Sequence, residues 1–289
     1  MTRIFIFEKI DVGQDEIRLG KEQQKYLKNV LRLVQGDVII VCDTNMTDFI
    51  CSINSFASDE VSLKIVERHK NDSEPSYRVV LFQSISKGER MDYTIQKSVE
   101  LGVDTIVPVE SARTIVKVKD KDGSGKIDRW SKIALEACRQ SGRGKVVEVK
   151  TVERFQNALE MAISTTDLVI IPWEKEANRS LGQVIDSYLA DFYEKRAKSV
   201  CEHSELSGNL IIPKPSISIF IGPEGGYEDE EVEIAIQSGA IPVTLGKRIL
   251  RTETAGPSVL AMLLFIYFRE RGHIICSSRR RVSNNEKLT

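Results

Sequence analysis

Apolar positions along this chain follow two rules that change near residue 75. In the first stretch they come in short runs: "RIFIF", "DVIIVCD", "DFICSINSF" and "EVSLKIVERH" are rich in Ile, Val and Phe and are divided by turn-forming residues. Runs of that length and composition predict strands. Between them, "KEQQKYLKNVLRL" carries Tyr26, Leu27, Val30, Leu31 and Val34 at helical spacing. A small β-barrel with one helix is the architecture expected. "KNDSEPSY", Lys70 to Tyr77, then gathers charge, Ser and Pro without an apolar period and predicts a linker.

Beyond it, near-continuous apolar strands alternate with helices. "YRVVLFQSI", "VDTIVPVE", "DLVIIPWE", "SISIFIGPEGG" and "AIPVTLG" read as buried strands, most of them running into a loop. "ERMDYTIQKSVELG" spaces Met91, Ile95 and Val99 four apart and stops at Gly102, and "KIDRWSKIALEACRQSG" puts Ile127, Trp130, Ile133, Ala134 and Ala137 on one face. Alternation of this kind predicts an α/β domain built on a mostly parallel sheet, with ligands at the carboxyl ends of the strands. The boundaries expected are 1–72 for the first domain, 73–271 for the second and 272–289 for a polar tail containing Arg279 to Arg281.

Composition narrows the function classes. With 289 residues and 41% hydrophobic content the chain can bury a sizeable core, and a net charge of −1 leaves any polyanion partner to local basic clusters. The five cysteines form no C-x-x-C pair and the three histidines are scattered, which argues against a disulfide framework, a metal site or a His-centred triad. "MTRIFIFEKI" does not read as a secretory leader, and "VLAMLLFIYF" falls short of the ~20 residues of a membrane span. A cytoplasmic protein is expected, with neither metal nor membrane as partner.

The chemistry concentrates between Ile219 and Ser258. "GPEGG" follows a strand and precedes a helix, as a phosphate loop would, but it matches no phosphate-loop pattern. Glu228, Asp229, Glu230 and Glu231 open the helix behind it, complementing the helix dipole and repelling a pyrophosphate. The loop suits a neutral or cationic ligand read by main-chain groups. One strand later "LGKRILRTETAGPS" repeats the arrangement, with Thr254 as a helix cap and Leu245, Ile249 and Leu250 as apolar residues in a loop that need a partner to cover them.

"IGPEGGY" together with "TLGKRILRTETA" closely resembles the paired signature of SPOUT superfamily methyltransferases, and within them the RsmE family, which methylates N3 of a uridine in 16S ribosomal RNA. "SKGERMDYTIQKSVELGVDTIVPV", "RWSKIALEACRQSGR" and "IPWEKE" are similar to that family's other blocks in the same order. The first domain resembles its PUA-like RNA-binding barrel. The chain departs from the family in "QQKYLKNVLR", which lacks the usual histidine, and in "GKVVEV", where an Ile-Pro pair is common.

The resemblance implies a C-terminal trefoil knot holding S-adenosyl-L-methionine (SAM), a homodimer, and 16S rRNA as partner, within the small ribosomal subunit. It carries cofactor contacts onto Ile171, Pro172, Ile221, Gly222, Gly226, Leu245, Gly246, Ile249, Leu250 and Thr252. Methylating a uridine N3 requires an acceptor for its proton and a cation beside the oxygen that gains charge. Arg251 is the cation expected, and Glu224 and Glu253 compete for the acceptor role. RNA contacts are expected from Arg3, Lys25, Lys28 and Arg32 in the first domain and from Lys87, Arg90, Arg139, Arg143 and Lys145 in the second. Two alternatives stand beside this reading: a SPOUT methyltransferase for another rRNA or tRNA position, and a non-catalytic RNA-binding ribosome-assembly protein.

Overall fold

The computed structural model describes residues 2–11, 13–116, 120–202 and 214–267, so the tail expected at 272–289 lies outside the described residues. The chain divides into two compact units. One joins residues 1–74 with 134–147, and the other joins 75–133 with the described residues from 148 onward.

The first unit is built on a five-stranded sheet of β1 (Thr2–Phe5), β2 (Glu16–Leu19), β3 (Val38–Cys42), β4 (Thr47–Phe56) and β5 (Val61–Lys70). Their order is β1-β3-β4-β5-β2; β1 and β3 run parallel and the other pairs antiparallel. Period-two alternation puts Ile39, Val41, Phe49, Ile53 and Leu63 into one core with Leu27. Strand β2, "EIRL", is too short and polar for its sequence to advertise it.

The helix of this unit is shorter than its apolar spacing predicts. Helix α1 covers Lys21–Lys25, a π-type turn follows over Tyr26–Val30, and Arg32 at φ 55 leaves the helical region. Leu27 is fully buried, whereas Val30 and Val34 are exposed. Backbone groups find other partners here: the Leu33 N–H donates to the Leu27 carbonyl and the Val34 N–H to Asp37 Oδ2, at 3.0 and 2.7 Å. Tertiary context overrides periodicity at this point.

A buried polar network closes the unit. Arg3 donates to both oxygens of Asp48, at 2.6 and 2.7 Å, and to the Arg143 carbonyl. Asn71 Nδ2 donates to Asp48 Oδ2 at 2.9 Å and to the Gly142 carbonyl at 3.1 Å. Arg143 grips Glu74 at 3.0 and 2.6 Å. Burial would raise the Asp48 pKa, but the Arg3 and Asn71 bonds outweigh it and hold that carboxyl below its usual range. The first half of the segment read as a linker is therefore hydrogen-bonded structure.

The second unit carries β6 (Arg78–Ser84), α2 (Glu89–Glu100), β7 (Thr105–Glu110), most of α3 (Asp120–Ser141), β8 (Glu148–Val149), β9 (Glu153–Arg154), α4 (Phe155–Thr165), β10 (Leu168–Pro172), α5 (Leu181–Glu202), β11 (Ser216–Ile221), α6 (Asp229–Gln237), β12 (Ile241–Val243) and a last helix, α7, over 252–267. Its seven strands pair only in parallel, in the order β12-β10-β11-β6-β7-β8, with β9 beside β7. Phe82 of β6 and Phe220 of β11 stack at 4.5 Å in the core between sheet and helices. The architecture is thus mixed α/β, a mostly parallel sheet plus a separate, mainly antiparallel one. Because the parallel strands all point the same way, their carboxyl ends share one edge.

Candidate functional site

Three loops leave that edge from neighbouring strands: 173–180 after β10, 222–228 after β11 and 244–251 after β12. The first and third are laced together. Trp173 N–H donates to the Val243 carbonyl at 3.0 Å, and Thr244 N–H to the Arg179 carbonyl at 2.8 Å. The second is tied to the start of α7, where Thr252 Oγ1 donates to the Gly222 carbonyl at 2.7 Å. Glycine is required at Gly226, where φ is 70° and a Cβ would stand 3.1 Å from Glu174 Oε1.

The acidic start of α6 holds its own loop. Arg113 donates through Nε and Nη2 to the two Glu228 oxygens, each at 2.7 Å, and through Nη1 to the Gly225 carbonyl at 2.8 Å. Hydrogen bonding to Arg113 holds Glu228 below the usual carboxylate range. Glu231 accepts the N–H groups of Ala112 and Glu228, and Asp229 pairs with Lys175 at 2.6 Å. These carboxylates are internal clamps as well as dipole partners. No sequence pattern ties Arg113 or Lys175 to them.

A second charged cluster faces the same loop. Glu224 Oε1 accepts the Lys87 N–H at 3.0 Å and Arg90 Nη1 at 3.1 Å, while Arg90 Nε lies 3.8 Å from Glu253 Oε1. Partial burial would raise the Glu224 pKa, but the Lys87 and Glu224 N–H groups and Arg90 outweigh it and lower it. Glu253 Oε2 is buried with no partner among the described residues. The Lys87 and Arg90 bonds both fall on one Glu224 oxygen, and they make Glu224 the weaker base.

Comparison with known proteins places this arrangement. A family model described as an RNA methyltransferase domain matches residues 73–264. The ribosomal RNA small subunit methyltransferase E of Bacillus subtilis is 32% identical over 234 residues, 81% of this chain and 84% of that protein. The chain belongs to the ribosomal RNA small subunit methyltransferase E family. A crystal structure of the family's Neisseria gonorrhoeae member, bound to S-adenosyl methionine, is 31% identical with a TM-score of 0.72, over 92% of this chain and 98% of that one. A Legionella pneumophila protein described as a methyltransferase, in complex with bound SAM, matches at 28% identity with a TM-score of 0.71, over 91% of this chain and 96% of that one.

Within this methyltransferase E member, the residues expected at the site divide by exposure. Ile171 and Ile221 are buried in the core, so only their backbone faces the strand ends, and Pro172 is half-buried beside them. Gly222, Gly226, Leu245, Gly246 and Leu250 lie on the loops just described, Thr252 opens α7, and Ile249 is 86% exposed. Arg251 is exposed; its carbonyl accepts the Thr254 and Ala255 N–H groups, and its guanidinium has no hydrogen-bond or ion-pair partner among the described residues.

The residues expected to touch RNA divide more sharply. Arg3 and Arg143 are 7% and 4% exposed and locked in ion pairs, so their charge is spent inside the first unit; the expectation of RNA contact is corrected for both. Arg139 is held by Tyr26 Oη and Glu136, and Lys145 is half-buried; both lie in the 134–147 stretch that joins the first unit. Arg90 is engaged with Glu224 and Glu253, while Lys25, Lys28, Arg32 and Lys87 are exposed. Among the described residues no cluster of His, Cys, Asp and Glu is disposed to hold a metal, and no helix is long and apolar enough to cross a membrane.

Proposed function

We infer that this chain methylates N3 of a uridine in 16S rRNA, using SAM. The observation that carries the reading is the meeting of the 222–228 loop with the start of α7 at a single hydrogen bond, Thr252 to Gly222. It brings "GPEGG" and "RTETA" together at the carboxyl edge of a parallel sheet. The residues present fit SAM. Ile249 is an exposed apolar side chain in a loop, and a Cβ added at Gly246 would meet nothing within 4 Å, so there is open space beside an apolar shelf. Leu245, Gly246, Ile249, Leu250 and Thr252, with Ile171, Pro172, Ile221, Gly222 and Gly226, would hold it. When bound, SAM supplies a methyl activated by its sulfonium.

The chain's own residues supply alignment and charge. Holding the uridine N3 in line gives the largest gain, with effective molarities worth about 7–11 kcal/mol. Glu253 accepts the N3 proton, because its Oε2 is unpartnered, whereas Lys87 N–H and Arg90 bind Glu224 through Oε1 and lower its pKa. Glu224 then fixes the loop. Arg251, exposed and unpaired, stabilises the negative charge that the uracil oxygens gain. The base is unstacked to reach these groups.

The finer fold belongs to this reading. Strand β12 lies outside β10, yet α7 returns over the middle of the sheet, where Thr252 meets Gln83 and a Cβ at Gly256 would stand 3.6 Å from Leu81. A path of 244–251 across the 173–180 loop, into a trefoil knot, is the connection this reading takes; the strand order and the Gln83–Thr252 bond support it. The first unit, with Lys25, Lys28 and Arg32 exposed, serves as a PUA-like RNA-binding barrel, and Lys87 adds a cation in the second. A groove of about 510 Å³ lined by Leu181, Ala261, Met262, Phe265 and Ile266 is the face for a homodimer partner. Work on ribosomal RNA sets the protein in the cytoplasm.

The test is methyl transfer from labelled SAM to naked 16S rRNA and to small subunits, with the modified nucleotide mapped by primer extension. A stop at one uridine is the expected result. Methylation at another position, or none alongside intact SAM binding, overturns the reading.

A further inference from the structure

At the strand-end edge stands a buried polar side chain that neither the family motifs nor the reading above uses. Gln83 is the penultimate residue of β6, in register with Ile221, and is fully buried. Its Nε2 donates to Thr252 Oγ1 at 2.9 Å and to the Ser84 carbonyl at 3.1 Å. Thr252 Oγ1 in turn donates to the Gly222 carbonyl at 2.7 Å.

The direction of this chain of bonds is forced. A carbonyl only accepts, so the Thr252 proton must go to Gly222, and the hydroxyl must take its other bond from a donor. Reversing the Gln83 amide would set its oxygen against both the Thr252 lone pairs and the Ser84 carbonyl, so the amide has one orientation. Gln83 Oε1 is left facing Gly256, where an added Cβ would stand at 3.2 Å, so α7 lies close against the amide. A side chain with no exposure thus joins the cofactor loop at Gly222 to the turn that carries Arg251 and Glu253.

We propose that Gln83 is a positioning residue for methyl transfer: the relay Gln83 to Thr252 to Gly222 sets the distance between the cofactor loop and the groups that act on the uridine. The proposal rests on the SAM-dependent reading above. Its consequence is a split between alignment and binding. Cofactor contacts come mostly from backbone, which survives loss of the relay, whereas misplacing reacting groups by even an ångström can cost about 100-fold.

The experiment compares Gln83→Leu, Thr252→Val and the double variant. It measures SAM Kd and stoichiometry by calorimetry, and kcat at saturating SAM and RNA per SAM-binding molecule. Expected for each single variant is a fall in kcat of about ten-fold or more, and for Gln83→Leu, whose side chain is not among the cofactor contacts, a SAM Kd that rises no more than about three-fold. The double variant should be no worse than the poorer single one, since both break one relay. A merely structural role would lower the stoichiometry and leave kcat per binding molecule unchanged, and that result overturns the proposal. So does wild-type kcat in either variant, or losses that multiply. Should Gln83→Leu fail to fold, Gln83→Met, of similar length, decides by the same split. A wild-type chain that binds no SAM, or binds it without methylating RNA, overturns the underlying reading instead.

Discussion

Each unit gathers arginines and carboxylates, and the two gatherings do opposite things. In the first unit Arg3 and Asp48, and Arg143 and Glu74, are almost completely removed from water, with Asn71 and backbone carbonyls filling remaining valences. In the second, Arg90 stands between Glu224 and Glu253 at the end of the sheet, partly exposed, with one Glu253 oxygen unpartnered. Saturated and buried, such a cluster can only hold structure. Half-open, it keeps partial exposure and an unpartnered oxygen. The difference lies in solvent and unused valence, since the residue types are the same.

The comparison can be broken in four ways. The largest effect is expected from Asp48→Ala, which strands a buried guanidinium and should destabilise the first unit by about 3–5 kcal/mol, read from denaturant unfolding. Equal stability to wild type would mean that this network is not the staple described.

Next, Arg251→Ala should lower kcat by about 100- to 1,000-fold, with SAM affinity unchanged by calorimetry. Glu253→Gln should cost about 100-fold or more and Glu224→Gln far less, because the donors on Glu224 make it the weaker base. Reversed ranks would exchange the two roles.

Third, RNA binding should weaken with salt while SAM binding does not. Replacing Lys25, Lys28 or Arg32 should each lower the slope of log affinity against log salt by about one. Arg3→Ala should act through stability instead, seen as a loss of folded protein.

The smallest effect concerns acid. Asp48 has its pKa held below its unfolded value of 3.8, so its contribution is present above that pH and is lost as pH falls through the lowered value. Thermal stability of the first unit should therefore slope downward below about pH 4, and Asp48→Asn should flatten that slope.

Much of this was legible without coordinates. Apolar runs from "YRVVLFQSI" to "SISIFIGPEGG" have the length and continuity of doubly buried strands, and they form β6, β7, β10 and β11, inside the edges of the parallel sheet. Short or polar elements leave no such mark: β2, β8 and β9 bury too little, and α4 lies between a polar segment and β10 without a capping signal. The apolar spacing through Val34 runs past the end of the helix because it says nothing about Arg32 turning to positive φ. Within the site, the glycine turns stood out from their spacing, but their ties to Arg113, Arg90 and Gln83 did not. Those partners lie more than 100 residues away in the chain.

By itself, then, the sequence determined the alternation of strands and helices, the two glycine loops and the family to which they belong. These depend on local spacing and on residue identities read in order. Tertiary structure decided which charges are spent and which are free. Arg3 and Arg251 look alike in a sequence; one is buried against Asp48 and the other is exposed without a partner. Burial and pairing depend on contacts between distant segments, and no local pattern encodes them.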